Sequence, residues 1–406
     1  MAVPRPDRDS AAARWKTLAL LSVAVLFGMS IWLTASAIAP ELQRTWGLTS
    51  SQVGWLTTLV QLGFVAGTAV AAILNLADVV PSRWYFAVSG VLGGLANAAI
   101  LIAPGYGSAL VFRFLTGFFL AGVYPPAMKM ISTWFRSSRG MAIGAIVGAL
   151  TVGKATPYLL KLFEGTGLVP VIVGSSSAAV VGAVLILVAY RDGPYPFLRP
   201  AFSWGLVMRV IKDRPTRLAT GGYLGHMWEL YAAWSTIGLF FLQYFGAEGG
   251  HSLAADLAAF GMIAMGGLGA VMAGVWADAV GRERITIWMM AISGGCALTM
   301  GWLMDASAWI VVPVALLWGF TIVADSAQFS AVVTEVAPPE SVGTALMLQT
   351  SIGFALTAVS IQVTIWLAEV AGWPVAYGVL ALGPAMGIVS MARLRVLREV
   401  GSEANS

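Results

Sequence analysis

Twelve apolar runs of about 18–25 residues follow one another through this chain, and they leave it few folds to adopt. They lie near 15–40, 51–77, 84–103, 107–131, 140–161, 168–190, 218–245, 252–277, 285–304, 308–333, 342–368 and 373–392. Each can cross a hydrocarbon layer of about 30 Å as a helix. Only helices and closed barrels satisfy every backbone N–H and C=O there. The sequence therefore predicts an all-α integral membrane protein of twelve transmembrane helices. With 58% hydrophobic and 10% charged residues it falls far from soluble domains, which carry about 25% charge. The first run exceeds a signal-peptide core of about 7–15 residues and no small-residue cleavage site follows it, so it reads as a span. The single cysteine, Cys296, excludes an intrachain disulfide and a Cys-based zinc site.

Charge placement orients the spans. Of the 23 Lys and Arg, only Arg44 and Lys161 fall in outer loops when both termini are placed inside, and Arg113 and Lys154 fall within spans. The rest collect on the inner side, which fits the positive-inside rule and an even number of crossings. The chain also repeats itself: Ala77-Asp78-Val79-Val80 returns as Ala277-Asp278-Ala279-Val280, about 200 residues later. The expected organisation is two six-helix halves, 15–190 and 218–392, with polar tails at 1–14 and 393–406. A basic linker with four prolines, 191–217, joins the halves. Two such halves point to alternating access, with a solute site between them near the midplane.

Ionisable groups within the spans are the candidate functional residues, because a charge at membrane depth is costly without a partner or a water-filled cavity. His226 and Glu229 stand three apart and share a helix face in a run, 218–244, that holds no Lys, Arg or Asp. At 1.5 Å per residue Glu229 lies about 17 Å, and Asp325 about 12–14 Å, from the inner ends of their helices. Gln328 shares the Asp325 face. Arg113 and Lys154 come from the first half, about 8–9 Å from the outer ends. The expected cavity has a cationic wall on the first half and an acidic wall on the second, with Trp228 and Tyr124 as its aromatic contacts. Each group has a plainer reading: Lys154 snorkelling outward, His226 and Glu229 bonded to each other, the aromatics forming interfacial belts. Glu41 and Glu335, at span ends, are expected to face water. Gly90-x-x-x-Gly94 and Gly144-x-x-x-Gly148 suggest close helix contact.

The motifs carry a family resemblance. Gly274-Val275-Trp276-Ala277-Asp278-Ala279-Val280-Gly281-Arg282 resembles the G-x-x-x-D-x-x-G-R loop of major facilitator superfamily transporters. The first-half copy is degenerate, with Asn75, Pro81 and Ser82-Arg83 at the matching places. Arg113-Phe114-Leu115-Thr116-Gly117 is similar to the family's fourth-helix R-x-x-x-G. The resemblance implies a conformational latch of Asp78 with Arg83 and Asp278 with Arg282; otherwise these charges anchor loops at the headgroups. A narrower similarity, through 225–231 and Asp325-Ser326-Ala327-Gln328, is to a bacterial branch of CcoA-type copper importers and riboflavin transporters. The copper members' soft ligands fall here on Ala233, Ile237, Gly261 and Met265. Cu(I) prefers sulfur ligands, so Met265 and His226 alone would be left to hold it.

The sequence shows no P-loop and no HExxH spacing, so an ATP-driven pump or a metal hydrolase is not expected. The expectation is a secondary transporter rather than an enzyme, an importer coupled to protons through Glu229 or Asp325 with His226 tuning them. Its solute would be held by Lys154, Arg113, Trp228 and Gln328, with a riboflavin-like aromatic compound first and copper second. A non-transporting receptor on the same fold is the alternative. The chain should work as a monomer in a bacterial inner membrane, without cofactor or nucleic acid.

Overall fold

The computed structural model describes residues 8–74, 76–135, 139–162, 167–195, 204–246 and 252–403. Among the described residues the regular secondary structure is helical throughout. Eleven helices are long and apolar enough to cross a membrane. The seventh span, Arg214–Tyr244, is not one of them although it runs for 31 residues. That length corresponds to about 46 Å. Its His226, Glu229, tyrosines and tryptophans lower its hydropathy, and it tolerates them because neighbouring helices shield most of its circumference: residues 229–238 are all buried.

Local signals set the helix ends. Thr49 and Gln52 form a reciprocal capping box that starts the second span, Ser50–Ile73. The Asp213 carboxylate accepts from Thr216 N–H at 2.9 Å, and Pro215 sits in the first turn, where no N–H is needed. The linker is not wholly loop: it holds a short helix, Trp204–Lys212, and the seventh span begins at Arg214 rather than 218.

Among the described residues four spans are broken, the twelfth of them at Ala381 between Trp373–Leu380 and Leu382–Glu403. The first runs Arg8–Met29, Thr34–Ala37 and Ala39–Trp46, and Ser30 Oγ at the break lies 2.9 Å from the Ser175 carbonyl of the sixth span. The fourth runs Tyr106–Leu120 and Tyr124–Ser132; Pro125 and Pro126 lack the N–H groups that would continue the helix. The tenth runs Ala308–Ala324 and Ser326–Val336, with Asp325 at the joint. The fourth-span and tenth-span breaks are about 200 residues apart, the interval of the Ala-Asp repeat, as expected of two related halves.

The halves meet along two pairs of spans. The fifth (Arg139–Leu160) packs on the eighth (Leu253–Val280), and the second on the eleventh (Val342–Ala371). A Cβ on Gly148 would lie 3.0 Å from the Gly267 carbonyl oxygen, so the first of these crossings requires glycine. Gly94 meets the sixth span (Leu168–Ala189) in the same way, 3.0 Å from Ser176 O. Buried side chains of both halves form one continuous core. We call the end of the bundle that carries the linker the linker face and the opposite end the far face.

Candidate functional site

The two halves border about 780 Å³ of empty space, part of it open solvent. Its upper wall is aromatic. Trp32 from the break in the first span, Phe64 from the second, Tyr231 from the seventh and Phe354 from the eleventh meet with centroids 4.6–5.8 Å apart. These rings come from both halves and lie near mid-span. Met128, Ile143, Tyr223 and Ser330 of the lining lie between them and the linker face.

Lys154 points into this chamber and is 1% exposed. Its Nζ lies 4.0 Å from the Trp32 ring, 4.5 Å from Tyr231 and 5.4 Å from Trp234, and it donates to the Tyr231 hydroxyl. Ring faces attract an ammonium but do not neutralise it. Among the described residues no carboxylate lies within ion-pair distance of Lys154. Tyr124 also lines the chamber.

The other sequence candidates lie elsewhere, which corrects the expected pair of charged cavity walls. Arg113 is fully buried and satisfied within its own half. Its Nε donates to Leu56 O at 3.1 Å, Nη1 to Ile31 O at 3.0 Å and Asn97 Oδ1 at 2.7 Å, and Nη2 to Trp32 O at 2.6 Å. Trp228 donates to Val379 O at 3.1 Å and packs within the second half. Gln328 accepts from Arg282 at 2.7 Å near the linker face. Glu229, His226 and Asp325 form a buried group behind the cavity lining. Glu229 Oε1 accepts from Trp318 Nε1 at 2.7 Å and Oε2 from Ser293 Oγ at 3.0 Å; both donors are neutral. His226 Nδ1 lies 2.8 Å from Asp325 Oδ1, so the seventh span is tied to the break in the tenth.

The latch motif forms in the second half with different emphasis. Arg282 Nη2 lies 3.6 Å from Asp278, but its closer partners are Glu335 at 2.7 Å and Gln328. Arg398 extends the network to Glu283 at 2.5 Å and Glu335 at 3.1 Å, so Glu335 is an ion-pair partner rather than a solvated end. In the first half Arg83 is exposed, and the side chain of Asp78 lies outside the described residues. A copper site is not assembled: Met265 does not line the cavity, His226 Nδ1 faces Asp325, and no cluster of three His, Cys, Asp or Glu fit to hold a metal occurs among the described residues.

Sequence reasoning missed the far-face closure. Lys161, at the far end of the fifth span, is 2% exposed; its Nζ lies 3.0 Å from Asp256 of the eighth span, 3.7 Å from Glu41 and 3.3 Å from Ala37 O. Glu41 is 5% exposed, against the expectation that it faces water. Gln362 of the eleventh span adds bonds to Thr58 at 3.0 Å and Ser51 at 3.2 Å. Near the linker face Arg209 pairs with Glu340, Arg282 with Glu335 and Arg398 with Glu283, all in the second half and linker. Asp256 read as an ordinary first-turn acid behind the Ser252 cap, and helix spacing alone gives no sign that it reaches the fifth span.

A discontinuous twelve-helix bundle with a chamber between its halves is a transporter architecture, and sequence comparison places it. The sequence profile of the Major Facilitator Superfamily matches residues 20–361, and the chain belongs to that superfamily. It is therefore a multi-pass membrane protein of that superfamily. A puromycin resistance protein of Streptomyces alboniger is 32% identical over 158 residues, 36% of this chain and 31% of that one. The niacin transporter NiaP of Acinetobacter baylyi is 34% identical over 129 residues, 31% of this chain and 28% of that one. The chain thus spans under a third of the length of these relatives. A bacterial homologue of the human lysosomal transporter Spinster, solved inward-facing and unoccupied, superposes with a TM-score of 0.68 at 15% identity, covering 96% of this chain and 95% of that one. The relatives give the copper and riboflavin branch no support.

Proposed function

We propose that this chain is a secondary active transporter working by alternating access, with the chamber around Lys154 as its solute site and an aromatic, vitamin-sized compound as its cargo. The observation that carries this reading is a chamber walled by rings from both halves, with a buried ion cluster joining the halves at the far face. The excess of Lys and Arg on the linker face makes that side cytoplasmic. The partial similarity to a niacin transporter favours a cargo with a single ring over a flavin. Saturable counterflow of labelled nicotinate, nicotinamide or riboflavin in liposomes tests the reading; no exchange of any of them overturns it in favour of a receptor.

Proton coupling is assigned to the group behind the chamber. A carboxyl that carries a proton through the cycle must change charge without leaving a stranded counter-ion, and Glu229 has only neutral donors. His226 and Asp325 stand beside it on the seventh span and at the tenth-span break, where opening of that break moves them. Glu229→Gln should cut uptake driven by a pH gradient at least about tenfold, a loss of about 1.4 kcal/mol of drive, while counterflow without a gradient continues. Gradient-driven uptake that survives both Glu229→Gln and Asp325→Asn rules the assignment out.

A further inference from the structure

We infer that the chamber selects an aromatic monoanion, a ring bearing one carboxylate, and that Lys154 with the indole N–H groups of Trp32 and Trp234 is its anion anchor. The inference rests on the chamber being the solute site and concerns the charge of what enters it.

The charge inventory is one-sided. Lys154 is the only Asp, Glu, Lys, Arg or His side chain that lines the chamber among the described residues. Arg113 of the first half spends four of its five N–H donors on three carbonyls and Asn97 and does not line the chamber. The acids of the second half are turned away toward Trp318, Ser293 and His226. A buried ammonium held by ring faces and one hydroxyl is stabilised by an incoming negative charge. A cation would meet unscreened repulsion there. A dianion would bring a second charge for which the walls hold no cation.

The donors agree with the charges. Trp32 Nε1 and Trp234 Nε1 are buried and have no hydrogen-bond partner, and both side chains line the chamber beside Lys154. Buried N–H groups are nearly always paired in native proteins. Three donors without an acid, two of them idle, match the two oxygens of a carboxylate. The rings of Phe64, Phe354 and Tyr231 close round the same point and offer faces to a planar body. An acceptor reaching Lys154 also competes with the Tyr231 hydroxyl, and that bond joins the fifth span to the seventh. Binding thereby acts on a contact between the halves.

The test uses the purified full-length chain and pairs of probes that differ only in charge: benzoate against benzamide, nicotinate against nicotinamide, with phthalate as the dianion. Competition binding should favour each acid over its amide by about 10- to 100-fold, the value of one charge-assisted contact, with phthalate weaker than benzoate. Lys154→Met should abolish the difference between acid and amide, and Lys154→Arg should keep part of it. Amides that bind as well as acids, or a preference that persists in Lys154→Met, overturn the anion anchor and leave the aromatic site standing. The acid and amide comparison needs no variant, so a poorly folding Lys154→Met does not remove the test. Binding by none of the ring compounds, charged or neutral, overturns the anchor and the aromatic cargo together, while counterflow still reports on transport.

Discussion

Arg113→Met should cost the protein about 3–5 kcal/mol of stability, the range for stripping one side of a buried charged network, and should lower its thermal midpoint and membrane yield before any effect on solute choice is seen. The reason lies in the break in the first span. Residues 30–33 do not continue the helix, so the carbonyls of Ile31 and Trp32 have no helical N–H to accept from. Arg113 supplies those donors at 3.0 and 2.6 Å, and its other nitrogens hold Leu56 of the second span and Asn97 of the third. One guanidinium thus fastens four spans around a place where the backbone is unsatisfied, and each carbonyl left bare costs about 1–3 kcal/mol. Arg113→Lys should recover only part of the loss, since a single ammonium cannot reproduce a planar fork. Thermal unfolding in detergent, with binding measured at low temperature, separates the cases. A variant with an unchanged midpoint and no uptake would show Arg113 acting on solute or proton directly.

The same residue shows what the sequence could and could not disclose. Apolar run length and the one-sided distribution of Lys and Arg both follow from the bilayer as solvent, so the helices and their order were legible. Which way a side chain points was less so. A helix that is apolar all round has no face that marks lipid from core, so Gln328 and Trp228 were placed by depth in a cavity that they do not line. The fourth-span break was written in Pro125-Pro126, but the break at 30–33 in the first span and the tenth-span break have no proline at the joint. Their partners, Arg113 and His226, therefore could not be inferred. Lys154 was legible because a lone cation at mid-depth is rare whatever surrounds it.

Lys161→Met should open the far face. Lys161 holds Asp256 of the second half and Glu41 of the first at 3.0 and 3.7 Å, all three almost wholly buried. Without the ammonium Glu41 and Asp256 lose the cation they share in a buried contact between the halves, which costs about 3–5 kcal/mol as long as the contact stays closed. Parting of the halves at this end returns both acids to water and relieves that cost, so the variant has a route to relief other than unfolding. A penalty of about 3 kcal/mol shifts a two-state equilibrium by more than a hundredfold, enough to make the far-open state the major one. Spin labels at Ser50 and Glu369, at the far ends of the second and eleventh spans, report the change once Cys296 is replaced by alanine. Their separation should lengthen in Lys161→Met and return toward the closed value when Glu41→Gln and Asp256→Asn are added, since three neutral side chains no longer repel. A distance distribution that Lys161→Met leaves unchanged means that the ring contacts and the Gln362 bonds close the far face without the ion cluster.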